Sequence, residues 1–297
     1  MSLKELLAWL RDAYRIPARL AALERDVQQT LPAVVRALYL KDVPLDPPFT
    51  LTSQRFGFTS QNGEDGIILA IFKQIGMTDR RFVDIGCGFN GGNSGFLARE
   101  LGWQGIMVDA RARAIETIAT SYLGYAVTPL REKVTPTSLN ALLREQGLTG
   151  ELDFLSIDID GVDFWLWDGL EVCRPRVVAI EYNYLFGAEH AVTVPNDPAF
   201  DIGTQPTRAY RGASLVALVR LGRRKGYRLV ATERVNAFFV RDDVAAGLAA
   251  CEPTAIYRGP GNRMKAVYGK LANFNLPIVL VKDDGTPGET VSPGVLT

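Results

Sequence analysis

Apolar residues near the start of the chain follow a helical rhythm. Leu20, Leu23, Val27, Leu31, Val34 and Leu38 recur at steps of three and four, the mark of an amphipathic helix. Pro17 separates this helix from an earlier one over Leu3 to Tyr14. The segment 1–48 therefore reads as a helical appendage. Its apolar seam either packs on its own domain or pairs with a second copy to make a homo-oligomer. Three prolines between Pro44 and Thr52 mark a linker.

The main domain, residues 49–282, alternates helical and strand periods. A helix over Glu64 to Ile75 precedes an apolar strand at Phe82 to Ile85, and a helix from Ser94 to Leu101 leads to a strand at Gly105 to Val108. Helices follow over Ala112 to Leu123 and Leu139 to Glu145, then strands at Phe154 to Ile159 and Val177 to Ile180. This alternation predicts an α/β fold with a parallel, Rossmann-like sheet covered on both faces. After a helix over Ser214 to Lys225, the strands Tyr227 to Ala231 and Ala237 to Val240 lie too close for a crossover and predict an antiparallel hairpin. The tail 283–297, rich in Gly, Pro, Thr and Ser, reads as disordered.

Composition narrows the function classes. Lys+Arg and Asp+Glu are equal at 33 each, so no overall field draws the chain to nucleic acid, and a nucleic-acid partner is not expected. Cys87, Cys173 and Cys251 are odd in number and far apart, which argues against a disulfide framework or zinc and for a reducing, cytoplasmic setting. Charges at Lys4, Glu5, Arg11 and Asp12 break the first stretch, and no transmembrane segment of roughly 20 apolar residues is evident.

The most informative segment joins the strand ending at Asp84-Ile85 to Gly86-Cys-Gly88-Phe-Asn-Gly91-Gly-Asn93-Ser94. Its glycines fit G-x-G-x-x-G, which lets backbone turn tightly and approach a ligand in front of a helix. Asp109 closes the next strand, where a carboxylate can accept both ribose hydroxyls. Together these features specify a nucleoside site. Asp84 beside the first glycine would repel a pyrophosphate and attract an ammonium group. A second acidic run, Asp158-Ile-Asp160-Gly161-Val-Asp163, follows an apolar strand, and Glu181 and Asn183 end the next one. Alternation would send Asp158 and Asp160 to one side. Three roles are open to this group: a general base, a holder of acceptor hydroxyls through Asp160, Glu181 and Asn183, or a Mg²⁺ site of Asp158, Asp160 and Glu181. His190, the sole histidine, sits in a proline-marked loop and is an alternative base.

Asp84-Ile-Gly86-Cys-Gly88 and Asp109 resemble the first two motifs of class I methyltransferases. The closing hairpin suits the antiparallel ending of that fold. A narrower resemblance, to FkbM-like methyltransferases, rests on Ser60-Gln61-Asn62-Gly63-Glu64-Asp65-Gly66, Leu155-Ser-Ile-Asp158-Ile-Asp160-Gly161, Ile180-Glu181-Tyr-Asn183 and Gly212-Ala-Ser214-Leu215. The resemblance implies S-adenosylmethionine as cofactor, held by Asp84, Gly86, Gly88, Asn93, Ser94, Asp109 and Asp158. It implies Gln61 and Glu64 as a lid, although Ser60 with Gly63 and Glu64 also fits a helix cap. It further implies methyl transfer to a hydroxyl of a small-molecule, sugar or glycan acceptor. The chain departs from the FkbM pattern at the fourth strand, which is nearer to D-x-E-G in that family. Rival readings are an NAD-dependent oxidoreductase on the same glycine turn and a non-catalytic nucleoside-binding assembly protein. A third rival is a haloacid-dehalogenase-like phosphatase using Asp158 and Asp160 with the late acids Asp242 and Asp243.

Overall fold

The computed structural model describes residue 34 and residues 51–257, 259 and 264–297. The chain divides into two units, Met1–Pro47 and Pro48–Thr297. The expected N-terminal helices, and any oligomer seam on them, lie outside the described residues except at Val34.

The elements of the second unit run α1 (Glu64–Ile75), β1 (Arg81–Ile85), α2 (Gly95–Leu101), β2 (Gln104–Asp109), α3 (Ala112–Ser121), β3 (Val127–Arg131), α4 (Leu139–Glu145), β4 (Gly150–Ile157), α5 (Asp163–Asp168), β5 (Cys173–Glu181), β6 (Val192–Thr193), α6 (Leu215–Lys225), β7 (Tyr227–Glu233), β8 (Asn236–Arg241), a short α7 (Pro253–Ile256), α8 (Met264–Asn273), β9 (Ile278–Val281) and β10 (Pro287–Val291). The main sheet has the order β3-β2-β1-β4-β5-β8-β7. β8 is antiparallel to both neighbours, and the other pairings in this sheet are parallel. Strand order reverses at β1, so a crevice opens beyond the carboxyl ends of β1, β2 and β4. This is a Rossmann-like fold with the strand arrangement of class I methyltransferases.

Sequence period explains the layers. In β4 and β5 the residues from Leu152 to Ile157 and from Val177 to Glu181 are buried without interruption, as strands covered on both faces require. On α6, Leu215, Leu218, Val219 and Leu221 are buried. Ser214 caps this helix by accepting the Ala217 N–H at 3.2 Å, and Gly226, at φ 82°, ends it. α1 is capped through a different pair from the one expected. Ser60 Oγ accepts the Asp65 N–H, and Asp65 accepts the Phe58, Thr59 and Ser60 N–H groups in return. Burial pushes the Asp65 carboxyl up to about 6.

A second sheet, β10-β9-β6, covers another apolar cluster that includes Phe186, Val192, Tyr268 and Ile278. The tail expected to be disordered supplies β10, antiparallel to β9, and a 3-10 turn over Pro293–Leu296. Asp283, Asp284 and Gly285 form a hairpin turn, closed by the Lys282 N–H donating to the Thr286 carbonyl and the Gly285 N–H to the Lys282 carbonyl, with Gly285 at φ 79°. No helix among the described residues is long and apolar enough to cross a membrane.

Candidate active site

β1 delivers the chain into the glycine turn at the crevice floor. Gly86 has φ 89°, and a Cβ there would lie 1.7 Å from the Asp158 carbonyl oxygen, so the close approach of the β4 end demands glycine. The Gly86 and Cys87 N–H groups both donate to the Val108 carbonyl, which ties this turn to the end of β2.

Asp84 does not face the crevice. Its carboxylate turns inward and accepts the Ser94 N–H at 2.9 Å, in front of α2. It is fully buried, and burial raises its pKa to about 7 against the hydrogen bonds from Ser94 and Asn93. The expected attraction of a ligand ammonium by Asp84 is therefore corrected: this carboxyl group sits within the turn as an internal hydrogen-bond acceptor. Asn93 is internal too, donating from Nδ2 to Ser156 Oγ at 3.0 Å. Glu64 lies buried below the crevice, accepting from the Asn62 N–H and from Asn236 Nδ2 at 3.0 Å, so it is no lid. Gln61 alone of that expected pair lines the crevice.

Asp109 ends β2 and faces a cavity of about 490 Å³. The cavity wall combines Ile159, Val134 and Phe200 with Asp109, Glu132 and Asp158. Phe200 comes from the proline-marked loop, which lines this cavity. Four hydrogen bonds hold the Asp109 carboxylate, from the Gly88 N–H and from the Arg111 N–H, Nε and guanidinium N–H. These bonds outweigh its desolvation and keep its pKa below the usual range.

A larger cavity of about 1240 Å³ adjoins the first. Gly86, Arg111, Asp158 and Asp160 line both, so these four residues mark where the two spaces meet. β4 stops at Ile157, before Asp158. Strand alternation thus does not reach Asp160, which instead takes a left-handed turn at φ 53°. Asp163 stabilises that turn by accepting the Ile159 and Gly161 N–H groups, both at 2.8 Å. Asp158, Asp160 and Glu181 each offer a carboxylate oxygen within 4.8 Å of the others.

Arg211, unmarked by any sequence motif, joins them. One guanidinium nitrogen lies 2.5 Å from Asp160 Oδ1 and another 3.1 Å from Glu181 Oε1. The Mg²⁺ site weighed from the acidic pattern finds no support here, because Arg211 supplies the cation. One guanidinium does not neutralise three carboxylates. Burial, and then the neighbouring acids, raise the Asp158 and Glu181 pKa values well above the carboxylate range, with Arg211 opposing.

Two further expectations are corrected. Asn183 is not aimed at a substrate: its Nδ2 donates to the Ala209 and Arg211 carbonyls, both at 2.9 Å, so it positions the Arg211 segment. His190 lines neither cavity and rests edge-on against Tyr268, 5.8 Å between ring centres, so the alternative base is misplaced for chemistry beside Asp158. The phosphatase constellation is not assembled either. Val177 pairs with Val240 and Glu181 with Asn236, so β8 runs back toward the amino edge. Asp242 and Asp243 lie past that opposite edge, where they pair with Arg228 and Arg241.

No protein-family model matches the chain, and no curated protein matches it. Among solved structures it is similar to one described as the crystal structure of TnmH, at 16% identity and a TM-score of 0.32. The likeness covers 78% of this chain and 60% of that one, so the chain spans about three-fifths of its length. Strand order and direction define the fold.

Proposed function

We propose that the chain is a methyltransferase of FkbM-like type that uses S-adenosylmethionine and methylates a hydroxyl of a small, sugar or glycan acceptor. One observation carries this reading. The anion position in front of α2 is filled by the protein's own Asp84, which takes the Ser94 N–H that a dinucleotide pyrophosphate would need, while Asp109 stays at the cavity wall for ribose. The site thus suits a nucleoside without phosphates and disfavours the NAD reading. A cavity of about 490 Å³ with apolar walls and a terminal carboxylate matches a small-molecule pocket in size and character.

The donor, when bound, supplies an electrophilic methyl on a sulfonium leaving group. The protein's contribution is placement and proton removal. Asp109 would orient the ribose, and the walls at Val134, Ile159 and Phe200 would exclude water from the base. At the junction, Asp158 or Asp160 would accept the proton of the acceptor hydroxyl. Asp158, held neutral at low pH by burial and by its neighbours, becomes a base only as pH rises through its raised pKa. Arg211 fixes the Asp160 and Glu181 carboxylates. Three free thiols, two of them buried, fit action in the reducing cytoplasm.

Calorimetry with S-adenosylhomocysteine and with NAD⁺ tests the reading. The homocysteine compound should bind, and Asp109→Ala should weaken it by more than about 100-fold, the worth of two hydrogen bonds to a charged group. Binding of NAD⁺ alone would overturn the proposal. Labelled-methyl uptake across glycans and glycosylated metabolites would then identify the acceptor.

A further inference from the structure

Arg111 lies across the carboxylate that a nucleoside must reach. Asp109 Oδ1 accepts the Arg111 backbone N–H at 2.8 Å and its Nε–H at 2.9 Å. Oδ2 accepts a second guanidinium N–H at 2.7 Å and the Gly88 N–H at 3.1 Å. A carboxylate has about four acceptor positions, and these four donors fill them. A ribose diol brings two more donors, so two of the present ones must leave.

Which two is settled by the chain. The Gly88 N–H is fixed in the glycine turn, and the Arg111 N–H is fixed at the residue capping α3. Only the guanidinium can withdraw. Its side chain is 59% exposed, whereas that of Asp109 is 5% exposed. In this same position its carbon also lies 5.1 Å from the centre of the half-exposed Phe89 ring. From there it borders both cavities.

We propose that Arg111 is a latch on the nucleoside subsite, a residue that sets its affinity by competing with the ribose hydroxyls for Asp109. The inference rests on the nucleoside reading above. An exposed ion pair is weak, but a two-pronged pair on a recessed carboxylate is stronger. The latched form should therefore prevail over the open form by about five- to tenfold, raising the apparent dissociation constant by the same factor.

Titration of the full chain with S-adenosylhomocysteine tests this. Arg111→Gln should bind about five- to tenfold more tightly than the natural protein, and Arg111→Lys, which cannot engage both oxygens, should fall between. Added salt should tighten binding to the natural protein and leave Arg111→Gln nearly unchanged, since only the former contains the screened pair. Thermal unfolding of the ligand-free variants checks that each is folded. Equal or weaker binding by folded Arg111→Gln overturns the latch while leaving the donor reading intact. Failure of natural protein and variant alike to bind overturns both.

Discussion

The turn after β1 and the turn after β4 meet at the crevice floor and are built on opposite plans. In the first, polar groups are consumed internally: Asp84 takes the Ser94 N–H, Asn93 bonds Ser156, and Asp109 is full. In the second, Asp160 and Glu181 share one arginine with Asp158 beside them, and Asp160 sits in a left-handed conformation. The first turn is a finished scaffold, which under the proposal above a ligand would enter by displacing the exposed Arg111 side chain. The second holds charge that changes with pH, which is where proton removal belongs.

The contrast can be broken most severely at Gly86. Gly86→Ala forces a Cβ onto the Asp158 carbonyl and should cost about 3–5 kcal/mol of stability by chemical unfolding. Gly88→Ala, whose Cβ would meet nothing nearer than Asn90 at 3.5 Å, should cost only about 1–2 kcal/mol. Similar losses at both positions would show that the two turns are not locked together as described. Next in size, Arg211→Met should lower methyl transfer by about 10–100-fold while S-adenosylhomocysteine affinity moves less than about twofold. A parallel loss of cofactor affinity would place Arg211 in the first turn's machinery instead. A pH-dependent test concerns Asp84, whose folded pKa of about 7 exceeds the ordinary 3.8. A group raised in this way contributes stability that is complete below pH 4 and lost as pH rises through about 7. Asp84→Asn should remove that slope, so the natural protein loses about 4 kcal/mol relative to the variant between pH 4 and 8. Parallel pH profiles would show that Asp84 is not held near neutrality.

Much of the sheet was readable because it is doubly covered. The apolar runs at Phe82–Ile85 and Val177–Ile180 have no other use, and both fall within observed strands. β3 escaped notice because it is a half-exposed edge strand containing Pro129, which an edge tolerates and a pattern search rejects. β6 escaped because its two residues pair with β9, a segment almost ninety residues later. The site was half legible. Asp109, Asp158, Asp160 and Glu181 follow from strand ends, since those ends define the crevice. Arg211 and Arg111 do not, because no spacing rule brings residue 211 to Glu181 or lays a guanidinium on Asp109. The direction of Asp84 was hidden for the same reason: a carboxylate next to a glycine turn can face outward or inward, and only the Ser94 N–H decides.

The bond from Asn236 to Glu64 joins residues 172 apart, and Arg55 reaches Glu233 across 178. Each links the opening of this unit to the closing hairpin of its main sheet, β7 and β8. During synthesis, then, the glycine turn leaves the ribosome long before the residues that brace it. A nascent chain halted ahead of β8 would carry the nucleoside fingerprint without its floor, so ligand capture should be among the last properties the growing polypeptide acquires.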